Sequence, residues 1–396
     1  MFTRNYRNFF LQALPNDMKT LRKTLFLFLP ATFLGASLPA SVGQVGDSLQ
    51  LHVSADIDYA FEDNIFLLET NELEDRYLVF TPGLELRMSE GGTLSASLSY
   101  RHSFTRFRDF DSLNGDYADL SVRARYDSGV VLASGYINYE QLYSSLRDVA
   151  LAIGGPVERD QSKAGANIRY ELSELTAFKV GLDYTDVDYD LERFTDYDTT
   201  AVPLTFFYKV RPKVDLTAGL RYRSTNTTGL FDYEDMYYFV GAVGEVFSPV
   251  VFADISVGFQ QRDYDGSPID TSSASYDITF IYTGNAMGTL YAGLSRDYRT
   301  SAVGGTAYAF SSLSVGGNHS LSDKVGLNAG LVYGESEYEE SPRAEDLMIL
   351  NLGASYQPND YLTLKAMYEF TDVDGKNAFS STYTNNEIRV SASLRY

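Results

Sequence analysis

From Leu51 to the final residue, Tyr396, apolar and polar side chains alternate with a period of two. The last ten residues, EIRVSASLRY, carry the pattern plainly. Ile388, Val390, Ala392, Leu394 and Tyr396 alternate there with Glu387, Arg389, Ser391, Ser393 and Arg395. Successive side chains of a strand point to opposite faces, so this period predicts strands with one apolar and one polar side. The same grammar recurs in Leu51-Val53-Ala55-Ile57-Tyr59-Phe61, in Val214-Leu216-Ala218-Leu220-Tyr222 and in Leu362-Leu364-Ala366-Tyr368-Phe370. About eighteen such runs fit along the chain. The run near Tyr237–Val246 is ambiguous in phase, and another slips between Phe310 and Leu313, which predicts a bulge there. Pro82 and Pro203 fall inside runs, and each removes a ladder hydrogen bond.

The connections alternate as regularly as the residues. Short turns at Ser89–Gly92, Asp127–Gly129, Ser173–Thr176, Arg211–Lys213 and Ser322–Lys324 are separated by longer, acidic, Tyr-bearing segments such as Glu62–Arg76, Asp190–Thr199 and Thr371–Asn386. Short turns at one end and long loops at the other is the pattern of an up-and-down outer-membrane barrel. The fold class expected is therefore all-β: a single transmembrane antiparallel β-barrel of about eighteen strands. A soluble sandwich or solenoid competes with it. A solenoid needs a short fixed repeat, which the chain lacks, and sandwich strands are typically shorter. Here the apolar phase continues for about ten residues, the length a tilted strand needs to cross a membrane. Tyr139, Tyr184, Tyr222 and Tyr368 close it at one end, and Tyr126, Tyr170, Tyr282 and Tyr356 at the other, as two interfacial girdles would. A chain that ends inside a strand then has a reason to do so. The last strand must pair with the first, because every backbone group in hydrocarbon needs a partner.

The front of the chain reads differently. Met18 opens a basic stretch (Lys19, Arg22, Lys23), followed by an apolar run from Leu25 to Leu38 and small residues at Ala40, Ser41 and Gly43. That order is a secretory signal. Residues 1–43 are accordingly expected to be an extension plus a cleavable signal peptide, with translation starting at Met18, and residues 44–396 one barrel domain in the bacterial outer membrane. A membrane anchor is the alternative, but Pro30 interrupts the run, which falls short of the roughly 20 residues of a spanning helix.

Composition narrows the chemistry. There is no Cys, hence no disulfide framework and no thiolate metal site. The formal charge of -21 argues against nucleic acid as a partner, since phosphate would be repelled. His52, His102 and His319 are the only histidines, and no G-x-S-x-G, H-E-x-x-H or phosphate-loop motif accompanies them. The reading is a non-enzyme without cofactor. DYTDVDYDLERF places Asp186, Asp188, Asp190 and Glu192 at every second position, but Leu191 stands where an EF-hand needs Gly.

The polar phase describes an inner wall. It carries Ser95, Ser97, Ser99 and Arg101, then Asp119, Arg123 and Arg125, with Tyr136 on the next run. Further along come Arg169, Lys179, Asp183, Phe207, Asp215, Arg221, Arg223, Asp254, Gln260, Arg262, Tyr291, Lys365 and Arg389. Mixed charge and small polar residues suit a wet channel, and a barrel of this size encloses one. The candidate lumen-lining set is Arg101, Arg123, Arg125, Tyr136, Arg169, Asp183, Phe207, Asp215, Arg221, Arg223, Asp254, Tyr291, Lys365 and Arg389. Each charge can equally pair across strands and only stiffen the wall, and each aromatic, Phe107 and Tyr117 included, can pack or stack a sugar ring.

VSADIDYAFEDNIF at the start, the strand-to-loop patterns GLDYTDVDYD, GLRYRSTN and MYEFTDVDG, and the IRVSASLRY finish make the chain resemble the "putative beta-barrel porin 2" family. The resemblance spans residues 44–396 and implies a passive outer-membrane conduit for export of a surface or extracellular polysaccharide. A general or nutrient diffusion porin is the alternative, with Ser144–Asp160 as the loop that would fold inward, and an adhesin-like structural barrel is a second. Expected partners are outer-membrane lipid and lipopolysaccharide, the barrel-assembly machinery reading the strand that ends at Tyr396, and periplasmic polysaccharide-export components.

Overall fold

The computed structural model describes residues 43–45, 49–88, 93–144, 157–229, 231–266, 270–285, 288–303, 307–339 and 341–396. Residues 1–42 of the expected leader 1–43 lie outside them, as do the turn Ser89–Gly92 and loop residues 145–156. A three-residue strand, β1 (Gly43–Val45), precedes eighteen long ones. They are β2 (Leu49–Glu62), β3 (Asp75–Met88), β4 (Leu94–Phe107), β5 (Gly115–Asp127), β6 (Val131–Ser144) and β7 (Val157–Glu171). Next come β8 (Thr176–Tyr189), β9 (Tyr197–Arg211), β10 (Val214–Thr227), β11 (Tyr233–Glu245), β12 (Val251–Tyr264) and β13 (Asp270–Asn285). The last six are β14 (Gly288–Thr300), β15 (Ala307–Ser322), β16 (Val325–Tyr338), β17 (Ala344–Tyr356), β18 (Leu362–Gly375) and β19 (Tyr383–Arg395).

Each long strand pairs antiparallel with its sequence neighbours, and β19 pairs with β2 from Arg395↔Ser54 up to Glu387↔Glu62. The sheet is a closed barrel. At the seam, Tyr396 and Val53 exchange two backbone hydrogen bonds of 2.8 Å, and the Tyr396 ring stacks on Tyr361 at 5.4 Å. Below Val53, β1 covers the remaining edge of β2, from Gly43↔Leu51 to Val45↔Leu49. The chain end is thus a structural joint.

The alternation decides which phase faces out. Ile57, Leu84, Val240, Leu290, Val390 and Leu394 are among the apolar residues left exposed on one phase. The other phase is concave, because its ion pairs skip strands: Arg169 on β7 reaches Asp215 on β10 at 3.2 Å, and Arg221 on β10 reaches Asp297 on β14 at 2.9 Å. Strands of 13 to 16 residues exceed the roughly 9–11 that a membrane requires, so they project beyond it at the long-loop rim.

Three local expectations meet the ladder differently. No register shift occurs between Phe310 and Leu313; β15 pairs β14 continuously from Ala307 to His319. Phe310 breaks the apolar phase because it points inward, buried beneath the Arg299 guanidinium at 3.9 Å. The shift lies instead between Ser320 and Ser322, at the turn. β11 is ambiguous in sequence because both its faces carry aromatics, Tyr237 and Phe239 inward and Tyr238 outward. The prolines act as expected. The β8–β9 ladder skips from Val180↔Leu204 to Asp183↔Ala201 around Pro203, and β3–β4 skips from Phe80↔Phe104 to Gly83↔Arg101 around Pro82. Gly181 leaves room for the proline ring, since a Cβ there would stand 3.0 Å from Pro203 Cγ.

Deleting Tyr396 removes both seam bonds and the ring stack, a net loss of about 1–3 kcal/mol for two hydrogen bonds alone. Less of the chain should then reach the folded, heat-modifiable form on electrophoresis of isolated outer membranes. An unchanged folded fraction would mean that the remaining β19–β2 pairs suffice.

Candidate functional site: a lumen crossed at one mouth

At the long-loop rim the β13–β14 ladder stops at Tyr276↔Arg296, although both strands continue. Above that point β14 stays with β15, up to Thr300↔Ala307, and leaves β13. The hairpin tip therefore leans off the wall and into the barrel. Its residues Ser301 and Ala302 are buried, and Ala302 packs among Val157, Val187, Tyr189 and Phe194 on the inner faces and loop of β7–β9. The Thr195 amide donates to the Ala302 carbonyl at 2.9 Å. β9 and β14 stand five strands apart round the wall, so Ser301–Val303 is a strap across the mouth.

The strap's root rests on a buried charge cluster. Asp235 on β11 accepts from Arg223 Nε at 2.5 Å and from Arg262 Nε at 2.6 Å, and all three residues are buried. Asp297, on β14 just above the break, accepts from Arg221 and lies 3.5 Å from Arg223. The Gln260 amide, turned to satisfy both neighbours, donates to Asp297 and accepts from Arg223 at 2.9 Å each. The Arg262 guanidinium lies 4.0 Å from the Tyr233 ring centroid and 4.6 Å from that of Tyr298, so aromatic faces take the charge where water is absent. The Tyr233 hydroxyl also meets that of Thr300. Three strands of wall and the strap are locked by one carboxylate pair.

Other loops fold over the same mouth. Leu67, from the β2–β3 loop, packs on the inward residues Leu347, Val373 and Tyr383, and Phe66 meets Phe110 of the β4–β5 loop edge-on at 5.2 Å. Asp75 holds that second loop by accepting from the amides of Asp109 and Phe110. Arg343 and Glu345 pair at 2.7 Å in a buried position beside them. Tyr264 of β12 bonds Glu339 of the β16–β17 loop.

Toward the short-turn rim the lumen is wet. Arg123, Arg125 and Lys365 sit on the inward phase and are exposed, and the Arg101 side chain keeps 48% of its surface while pairing Asp56 at 2.9 Å. Arg125 meets Asp127 at 2.9 Å. Arg169 binds Glu171 and Asp215 and covers the buried Phe207 ring at 4.2 Å. Arg389 pairs Glu387 and donates to Tyr77. Tyr136 and Asp183 are buried on the inward phase, where both neighbour Gly165. Asp254 faces in opposite Thr279, and Tyr291 lies half-buried beside Gly316. Of the sequence-derived set, Arg221 and Arg223 join the roof cluster, while the others are spread round the wall below it.

Sequence reasoning missed Asp235, Asp297, Tyr233 and Tyr298. The ambiguous phase of β11 hid the first and third; Asp297 and Tyr298 lie where β14 leaves the ladder. The inward fold expected of Ser144–Asp160 falls largely on residues outside those described. Among the described residues, Ser301–Val303 crosses the mouth. His52 faces inward, whereas His102 and His319 are on the outward phase, and no group of three or more His, Cys, Asp or Glu suited to a metal occurs among the described residues.

An apolar outer belt, a charged concave wall and strands closed without an edge define an outer-membrane β-barrel of the porin class, a channel protein. The short turns then face the periplasm and the strapped mouth the cell exterior. Residues 242–396, from within β11 to the C terminus, match the family model described as "Putative beta-barrel porin 2", the family that the sequence resembles. OpdK of Pseudomonas aeruginosa, solved with vanillate, superposes with a TM-score of 0.50 at 12% identity, over 89% of this chain and 100% of that one. OpdO of the same organism gives 0.49 at 13% identity over 88% and 97%. The FrpB iron transporter of Neisseria meningitidis gives 0.47 at 9% identity over 89% and 82%. The likeness to OpdK is one of fold. No curated protein matches the chain.

Asp235→Ala takes the carboxylate from the buried Arg262, while Arg223 keeps Asp297 at 3.5 Å. Loss of one partner of a buried pair costs about 3–5 kcal/mol, so the denaturation midpoint of the refolded barrel in lipid should fall clearly. Arg125→Ala, which breaks the exposed pair with Asp127 and leaves the Asp127–Gly129 turn bond in place, should leave it within about 0.5 kcal/mol.

Proposed function

We propose that the protein is a diffusion porin for small solutes whose outer mouth is narrowed by the β14–β15 strap. The observation that carries this reading is the backbone bond from Thr195 to Ala302, which ties loops five strands apart across the bore. Passive export of a polysaccharide requires a clear bore along the whole axis. The strap, the inward Leu67 and the buried Arg223–Asp235–Arg262 cluster occupy the outer end instead. Small solutes need only gaps between such elements, and the mixed charge of the lower wall favours no single sign of ion.

Ala302→Asp places a carboxylate against the apolar side chains of Val157, Val187 and Phe194. Taking a carboxylate out of water there works against keeping the strap seated. Single-channel recordings in planar bilayers should show a small wild-type conductance and a severalfold larger one for A302D. Liposome swelling should pass small sugars and exclude polymers in the wild type. Equal conductances, or passage of a long polysaccharide as fast as a small sugar, would sink this reading and return the export conduit to first place.

A further inference from the structure

We propose that the lumen wall of β14–β17 is a binding plate for neutral sugar rings, with Tyr291 as its stacking residue. This rests on the reading of the lumen as a diffusion path and names the substrate class that the path would select.

The plate is built from what is missing between side chains. Along the inward face, Tyr291 pairs with Gly316, Gly316 with Gly330, and Gly330 with Asn351. A Cβ on Gly316 would stand 2.5 Å from Tyr291 Oη and 2.7 Å from Cζ, and one on Gly330 would stand 3.1 Å from Oη. The phenol ring therefore lies down across β15 toward β16, in space that any other residue at 316 would fill. In the next row Asn318 pairs with Asn328, and Asn328 with Gly353. The Asn328 amide lies over Gly353 in the same manner, in contact with where its Cβ would be. One aromatic and one amide thus lie over glycines in neighbouring rows near the periplasmic end. The Tyr291 hydroxyl makes no hydrogen bond to another described residue, and Asn318 and Asn351 flank the plate.

The charge pattern selects the ligand. From Thr289 to Ser295, Ser312 to Ser320, Gly326 to Gly334 and Leu347 to Ser355, the inward phase holds no charged residue. The β5–β7 wall carries Arg123, Arg125 and Arg169 in the same lumen. The charges nearest the plate stand one strand beyond its edges, Asp277 of β13 opposite Ser295 and Glu369 and Lys365 of β18 opposite Asn351 and Ser355, so neither sign of ion meets a counter-charge on the plate itself. A purely apolar solute leaves the amides unanswered. A pyranose answers both: its C–H face packs on a flat ring, and its rim of hydroxyls donates to and accepts from amide groups, which do the same.

The test uses the full barrel and maltohexaose as probe, with binding read by calorimetry in detergent and by current block in planar bilayers. The wild type should bind maltohexaose and ignore polyethylene glycol of equal length and benzoate. Tyr291→Ala should weaken binding about tenfold, the scale of one ring contact, and Tyr291→Phe should weaken it less, because the ring remains. Gly316→Ala keeps the ring but lifts it from the wall and also presses the Ala329 carbonyl of β16, 2.7 Å from its Cβ; where it folds, it should weaken binding nearly as much as Y291A. Heat-modifiable migration checks that each variant folds; if Y291A does not, Y291F and G316A carry the comparison. No binding by the wild type, equal binding by Y291A, Y291F and G316A, or equal binding of polyethylene glycol or benzoate would overturn the plate. Conductance without sugar binding overturns this inference alone. Sugar binding without conductance overturns the porin reading and leaves the plate standing.

Discussion

A strand inside hydrocarbon has no water to satisfy its amides and carbonyls, so each must find a neighbouring strand. Everything else in this barrel is arranged around that demand. It makes the C-terminal strand a joint with β2, and it makes β1 useful as a cover for the edge that β19 leaves below Val53. It also sets where the wall is allowed to open. The β13–β14 ladder runs unshifted from Tyr282↔Leu290 to Tyr276↔Arg296, which brings it near the upper limit of a membrane-crossing strand, before the two strands part. Beyond the break side chains take over: Ser275 donates to the Arg296 carbonyl at 2.6 Å, and Arg296 Nε donates to the Ser273 hydroxyl at 3.2 Å. A strand can be spared for the strap only where the lipid ends.

The two ends of the lumen treat charge differently for the same dielectric reason. On the open wall below the strap, guanidiniums such as those of Arg101 and Arg125 keep water and hold single carboxylates loosely. Exposed pairs of that kind contribute little to stability. Under the strap, Arg223 and Arg262 are buried and share Asp235, with tyrosine faces and Gln260 completing their surroundings. A buried group of this sort is weak evidence for stability in itself, but it fixes one geometry, because any displaced member leaves a charge without a partner. That rigidity suits the base of an element that must stay across an opening.

Much of the fold was legible because a period of two is a local property. Leu51 to Phe61 or Leu362 to Phe370 need only their own neighbours to declare a strand and its two faces. Where both faces are apolar, as at Tyr237-Tyr238-Phe239, the signal cancels. Where an inward residue is buried under a cation, as Phe310 is under Arg299, the signal imitates a bulge. The inner-wall residues were read from the same phase, which is why Arg221, Arg223 and Arg262 were visible while their partners Asp235 and Asp297 were not. Ser301, Ala302 and Val303 are small or modest residues in a connection, and nothing in their own stretch marks them as buried.

Residue by residue, the chain declares its class of structure: all-β, about eighteen strands with an apolar outer belt, closing at Tyr396. Those features follow from alternation, length and the need to pair backbone, each of which acts over a few residues or on the chain as a whole. Closure of the sheet decided which loop crosses the mouth, which charges are buried together, and that Tyr291 lies over two glycines. Those outcomes depend on the curvature of the closed sheet, which brings Thr195 to Ala302 and Arg221 to Asp297 across a bore. No local pattern encodes a distance across a ring.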